Sequence, residues 1–262
     1  MTDVHVPPVT DTPPPANEAA AFRRRGERTE TNLAATEPGP GGIRTHHKHY
    51  VVNPYLVKIR DMPDWVVEGE RLTALRGNWQ AYFGRKAPFW LEIGSCKGEY
   101  LTELSKRHPE VNFLGLEIKY KRTWKLGKLA QRLGLAHVRF AEAEGQSIGE
   151  FIEPGELGRV IVNFPDPWEK KKEWKHRLFQ PAFLTLLHTL LACDGEVWFK
   201  TDHEGYFDWT QELFQSESGW EITFSTRDLH HSERSETNIV TWFEALFTGK
   251  GLPTYALVAR RR

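Results

Sequence analysis

Seven short apolar runs, separated by stretches with helical spacing, constrain this 262-residue chain more than any other feature. They read PFWLEI (88–93), VNFLGLEI (111–118), AHVRFA (136–141), GRVIVNF (158–164), GEVWFK (195–200), WEITFS (220–225) and TYALVA (254–259). Runs of this length, apolar on both faces, are buried strands. Between two of them, TWKLGKLAQRLG sets Leu126, Leu129, Ala130 and Leu133 at the i, i+3, i+4, i+7 spacing of one helix face. PAFLTLLHTLLACDG opens on a proline and closes on a glycine, which predicts a helix over that stretch. DWVVEGERLTALRGNWQAYFG, residues 64–84, reads as a helical lead-in. Alternating strands and helices predict an α/β, Rossmann-like domain: an open, mostly parallel sheet with helices on both faces. Ligands of such sheets bind at the carboxyl ends of the strands.

The first 45 residues follow another rule. Rich in Pro, Thr, Glu, Ala and Gly around an FRRRGER cluster, they read as a disordered N-terminal tail ahead of a domain at 46–262. No apolar run is long enough to span a bilayer, and the N-terminus lacks the pattern of a secretory signal. Two cysteines, Cys96 and Cys193, are too few for a disulfide framework, which points to a reducing, cytoplasmic setting. Thirty-five basic and 35 acidic residues cancel, so any polyanion site must be a local patch. The histidines have no metal-ligand spacing and no nucleophile motif occurs, so neither metal nor acyl-transfer chemistry is expected.

Chemistry concentrates at the predicted strand ends. LEIGSCKGEYLTEL (91–104) turns from strand to helix through Gly94 and Gly98, which allow a sharp bend and close backbone approach to a ligand. The next strand ends at Glu117, placed to accept from a ribose diol. A glycine turn with a following acid suits a nicotinamide dinucleotide or S-adenosylmethionine. Cys96 breaks the G-x-G-x-x-G fingerprint, and Glu92 would repel a pyrophosphate while tolerating a cofactor that carries a sulfonium and an amino group. Glu144, at the following strand end, could meet an adenine amine, although alone it reads as a solvated surface residue.

VNFPDPWEKKKEWKHRL (162–178) closes the fourth strand. Pro165 removes a backbone donor and Pro167 holds Asp166 extended, so the carboxylate is presented on a stiff corner. Trp168 offers a stacking face, and Lys170, Lys171, Lys172, Lys175, His176 and Arg177 form a positive patch suited to phosphates. A second basic stretch, KYKRTWKLGKLAQR (119–132), reads first as a solvated helix face, yet starts at the same sheet edge. FKTD (199–202) adds Asp202 there. Thr241 and Glu244 of TWFE have capping-box spacing, so they fit a helix cap as well as a ligand contact.

From about residue 53 to the C-terminus, the phrases LEIGSCKGE, GLEI, VNFPDPWEKKK…KHRL, FKTD and TWFE…GLPTY resemble, in order, the tRNA (guanine-N7-)-methyltransferase family. The resemblance implies a class I methyltransferase sheet of seven strands with an antiparallel last strand. It implies S-adenosylmethionine as donor and tRNA as partner, modified at guanine 46 of the variable loop. By position, Glu92, Glu117, Glu144 and Asp166 would contact the cofactor, with Gly94 and Gly98 shaping its loop. Asp166 would also be the active-site residue, and Lys170, Asp202, Thr241, Trp242, Phe243 and Glu244 would contact substrate. Two departures from the family pattern are Cys96, in place of the central glycine, and Glu144, in place of Asp or Asn. A methyltransferase acting on an exocyclic base amine and a non-catalytic tRNA-binding module are the alternative readings. The oligomeric state, monomer or homodimer, is left open.

Overall fold

A computed structural model describes residues 53–262. The tail at 1–45 and the first residues of the domain at 46–262 lie outside that range. Eight strands are formed: β1 (Val66–Val67), β2 (Phe89–Ile93), β3 (Asn112–Leu116), β4 (Val138–Ala141), β5 (Leu157–Asn163), β6 (Leu191–Thr201), β7 (Trp220–Thr226) and β8 (Tyr255–Arg261). The α-helices are α1 (Pro54–Arg60), α2 (Gly69–Thr73), α3 (Trp79–Phe83), α4 (Glu99–Arg107), α5 (Tyr120–Leu133), α6 (Pro181–Leu190), α7 (Glu204–Ser216) and α8 (Trp242–Thr248).

All strands join one sheet in the order β1-β4-β3-β2-β5-β6-β8-β7. Neighbours from β1 to β6 pair in parallel. β8 runs antiparallel to both β6 and β7, so the reversed last strand is present as expected. The chain order changes direction at β2, whose neighbours are β3 on one side and β5 on the other. That is the topological switch point where α/β sheets bind ligands. The central strands are buried on both faces: Val160 and Val162 of β5 enter one core cluster with Leu91 and Phe199, while Ile161 enters a second with Phe113 and Phe140.

Three local expectations are corrected. The lead-in at 64–84 is not one helix; Val66 and Val67 pair with Phe140 and Ala141 of β4, adding an eighth strand, before the short α2 and α3. Both valines are fully buried, which outweighs the helical spacing around them. Helix α5 buries Thr123, Leu126, Gly127 and Ala130, while Leu133 is left exposed. Gly127 lies on that face because an added Cβ would come within 2.4 Å of Val66 Cγ2. Helix α6 starts at Pro181 but stops at Leu190 rather than at the glycine. Leu191 already pairs with Leu157 as β6, and Gly195 follows Asp194, which sits at φ 59, within a register shift of that strand.

Candidate active site

The turn between β2 and α4 is built on the end of β3. Gly94 N–H and Ser95 N–H both donate to Leu116 O, at 3.0 and 2.8 Å, and Gly98 N–H closes the turn on Ser95 O at 2.7 Å. Gly94, at φ 86, is exposed, and nothing stands within 4 Å of where its Cβ would be. Gly98 serves packing: at φ 79, its added Cβ would strike Leu126 Cδ2 at 2.5 Å. Between them Cys96 adopts φ 47, a left-handed conformation that disfavours any side chain. Burial pushes the Cys96 thiol up to about 11.

Glu92, the penultimate residue of β2, is 2% exposed. Its Oε1 accepts from Asn163 Nδ2 at 3.2 Å, while its buried Oε2 makes no hydrogen bond of ordinary geometry. Burial pushes the carboxyl up to about 7, against partial relief from Ser95 and Asn163. Glu117, just past β3, is also buried; its Oε1 accepts from Lys119 N–H at 3.0 Å and its Oε2 lies 3.6 Å from Arg122. Burial raises its pKa, opposed chiefly by Arg122. Glu144, beyond β4, is exposed and precedes the 3-10 helix Gly145–Glu150. In-register pairs Ile93 with Leu116, Leu116 with Ala141, and Ile93 with Val162 place these strand ends along one edge.

On the other side of the switch point, the chain leaves β5 through the proline corner. Phe164 and Trp168 both take positive φ, 51 and 47, so two strained residues bracket Asp166. Such conformations persist only where the surroundings impose them. Phe164 N–H donates to Lys200 O at 2.8 Å, and Arg177 Nε donates to Pro167 O at 2.8 Å. Asp166 itself is exposed at the apex. Arg177 is not part of the phosphate-facing patch: it is 2% exposed, with its guanidinium over the rings of Trp174 and Tyr206 at 4.4 and 4.9 Å. Lys170, Lys171, Lys172, Lys175 and His176 are exposed, as expected of a patch.

β6 supplies the third wall. Asp202 follows it, half-buried. Thr241 and Glu244 form a full capping box at the start of α8, and both are buried. Glu244 Oε2 also accepts from Lys200 Nζ at 2.6 Å, and its Oε1 from Asn238 Nδ2 at 2.5 Å. Their half-buried neighbours Trp242 and Phe243 are thereby positioned. Trp242 N–H donates to Glu99 Oε1 of α4 at 2.9 Å, and Lys97 Nζ lies 3.8 Å from the Trp242 ring. The sequence assigns no role of their own to Asn163, Glu99 or Lys200, the last noted only as a polar group at the strand end, and it groups Arg177 with the phosphate patch. Strand-end position was the available signal for Asn163 and Lys200; for Arg177 none existed. A separate cavity of about 560 Å³, behind Asn163 between α4, β6 and β8, contains none of Glu92, Glu117, Glu144 or Asp166.

Residues 86–257 match a family model described as "Putative methyltransferase". A tRNA (guanine-N(7)-)-methyltransferase of Limosilactobacillus reuteri is 36% identical over 187 residues, 71% of this chain and 87% of the relative. This chain belongs to the tRNA (guanine-N(7)-)-methyltransferase family. A bifunctional glycosyltransferase/methyltransferase of Fusobacterium nucleatum shares 32% identity over 78% of the chain, which spans only 32% of that longer relative. Among solved structures, the antibiotic-resistance methyltransferase Kmr superposes with a TM-score of 0.52 at 18% identity, over 71% of this chain and 92% of Kmr. That likeness concerns the fold, a Rossmann-like class I methyltransferase.

The chain is thus an enzyme of the methyltransferase class, and its residues fit S-adenosylmethionine as the methyl donor. Gly94 leaves open space beside the backbone, and Glu92 keeps a buried carboxylate oxygen without a partner of ordinary geometry. An ammonium group is the natural complement of such an oxygen. No group of three or more His, Cys, Asp or Glu side chains suited to a metal occurs among the described residues.

Proposed function

We propose that this methyltransferase modifies N7 of a guanine in tRNA, at position 46 of the variable loop, using Asp166 as the residue that meets the base. The observation that carries this reading is the strained Pro-Asp-Pro corner, which exposes one carboxylate at the end of β5, the strand beside the glycine turn of β2. Glu92, Glu117 and Glu144 hold the donor, with Gly94 and Gly98 shaping its loop. Lys170, Asp202, Trp242 and Phe243 face the RNA, while Thr241 and Glu244 fix the start of α8 that carries the two aromatic rings. The setting is cytoplasmic; Cys96 and Cys193 carry free thiols.

The chemistry asks little of the protein. S-adenosylmethionine supplies an electrophilic methyl group on a sulfonium. Guanine N7 has an in-plane lone pair and no proton, so the new N–C bond forms without a general base as the C–S bond pair leaves with sulfur. Positive charge develops on the purine. A carboxylate held rigidly at that point stabilises it without reorganising, and the alignment of N7, carbon and sulfur lowers the barrier further. Lys170 and the neighbouring exposed cations hold phosphates, which sets affinity rather than rate.

Unmodified tRNA incubated with labelled donor, then treated with borohydride and aniline, should break at one internal guanine. Methyl found on an exocyclic amine by mass spectrometry of a nuclease digest would overturn the N7 assignment. Asp166→Ala should lower kcat by about 10²-fold or more, as loss of a transition-state contact does, with tRNA affinity nearly unchanged. Near wild-type turnover of that variant would remove Asp166 from the mechanism.

A further inference from the structure

Helix α5 carries no acidic residue from Tyr120 to Leu133. Of its five cations, Arg122 lies 3.6 Å from Glu117, and the other four are ordered: Lys121, Lys125, Lys128 and Arg132 recur at steps of four, three and four, the spacing of a single line along a helix. All four are exposed, and none makes an ion pair among the described residues. The opposite face, Thr123, Leu126, Gly127 and Ala130, is buried, so the stripe points to solvent. At a rise of about 1.5 Å per residue it is roughly 16 Å long. In a chain of zero net charge, such a row is a strong local concentration of positive potential.

The stripe begins at the crevice rim. α5 follows Glu117 at the end of β3, so Lys121 stands near the donor pocket and Arg132 at the far end of the helix. Beside its start lies an aromatic pair, Tyr55 and Trp124, with centroids 5.6 Å apart. Lys58 Nζ is 5.0 Å from each ring, and Lys121 Nζ is 5.7 Å from Tyr55. Cations interleaved with half-exposed rings suit a nucleic-acid backbone and its bases. A membrane surface would need an apolar face alongside the charges. Here the exposed apolar side chains are scattered, Ile118 just before the helix, Leu133 at its end and Val57 on the neighbouring α1, and form no face along the stripe.

We infer that the α5 stripe is a second phosphate-binding track, which holds the backbone of a tRNA arm as it runs away from the crevice. The inference rests on the tRNA reading above. Asp166 and the 170–176 patch receive the modified nucleotide; α5 grips RNA that no reacting atom touches. It therefore contributes to affinity and to the preference for folded tRNA over a short fragment.

The test replaces Lys121, Lys125, Lys128 and Arg132 together with Gln in the full chain, with an all-Arg version as the charge-preserving control. Binding to unmodified tRNA is measured across a potassium chloride series, alongside donor binding by calorimetry and turnover at saturating tRNA. The Gln variant should bind tRNA at least tenfold more weakly near 0.1 M salt. Its slope of log affinity against log salt should be shallower by about three, at roughly 0.7–0.9 for each of the four lost phosphate contacts. Donor affinity, melting temperature and saturated turnover should stay at wild-type values, and the Arg version should bind as wild type does. An unchanged affinity and slope in the Gln variant, with wild-type methylation intact, would overturn the track alone. Failure of the wild type to bind or methylate tRNA would overturn the functional reading and the track with it. Wild-type binding to phosphatidylserine vesicles that the Gln variant loses, with tRNA affinity unchanged, would assign the stripe to a membrane and overturn the inference.

Discussion

With the donor placed as proposed, the buried Glu92 would couple folding to ligand binding. Its carboxyl is pushed up to about 7 from an ordinary 4.5 because burial disfavours the charge. Between those values the folded protein binds the proton more tightly than the unfolded chain. Stability is therefore fully present below the unfolded pKa and is lost as pH rises through 7, by on the order of 3 kcal/mol. A donor ammonium beside Glu92 favours the ionised form, so donor affinity should rise between pH 6 and 8. Glu92→Gln should flatten that dependence, weaken donor binding, and raise the melting temperature of the free protein at pH 8. Calorimetry and thermal melts at pH 6, 7 and 8 check all three; a pH-independent donor affinity in the wild type would refute the coupling. Cys96, at φ 47, carries a strain of about 1–2 kcal/mol that a glycine would not. Because glycine also loosens the unfolded chain, Cys96→Gly should stay within about 1 kcal/mol of wild type. Cys96→Val, β-branched in the same conformation, should lose about 2 kcal/mol in urea unfolding.

At the scale of elements, the junction between β6 and α8 depends on one buried ion pair. Lys200 Nζ donates to Glu244, Asn238 and Ile239 O, which uses all three of its protons. Lys200→Met would strand the Glu244 carboxylate, at a cost of about 3–5 kcal/mol, whereas Lys200→Met with Glu244→Gln should recover much of it. Urea unfolding of the single and double variants measures the difference; equal losses in both would show that the pair does not govern the junction. Most of the seven main strands were legible as short apolar runs, and β7, which buries only Trp220 and Phe224, as a run of β-branched and aromatic residues. The capping box of α8 was legible because two residues at fixed spacing suffice for it. Lys200 and Arg177 were not, since a charged side chain reads as solvated until the rings and carboxylate around it are in place. β1 was hidden for a different reason: two valines carry no periodicity, and only β4 makes them a strand.

For the molecule as a whole, the crevice joins separate parts of the chain: in the proposed reading β2, β3 and β4 supply the donor side and β5, β6 and α8 the substrate side. Sequence order gave the parts, and the reversal of strand order at β2 brings them to one edge. A ligand bound there only by the folded state stabilises everything at once. S-adenosylmethionine at a hundredfold excess over its Kd should add about 2.7 kcal/mol, seen as a rise in melting temperature of roughly 5–11 °C. A scan with and without donor measures it, and no shift at saturating donor would contradict the placement of the donor in this crevice.

The two-residue β1 has a consequence for the outer margins of the sheet. By pairing with Phe140 and Ala141 of β4, it leaves on that side only short stretches of open ladder. The opposite margin, β7, is longer, but its register slips between Ile222 and Phe224, which bends the row of free amides out of line. Both flanks are thus blunted against stacking of one copy on the next, so crowding at high concentration should leave the fold without a route to strand-swapped fibres.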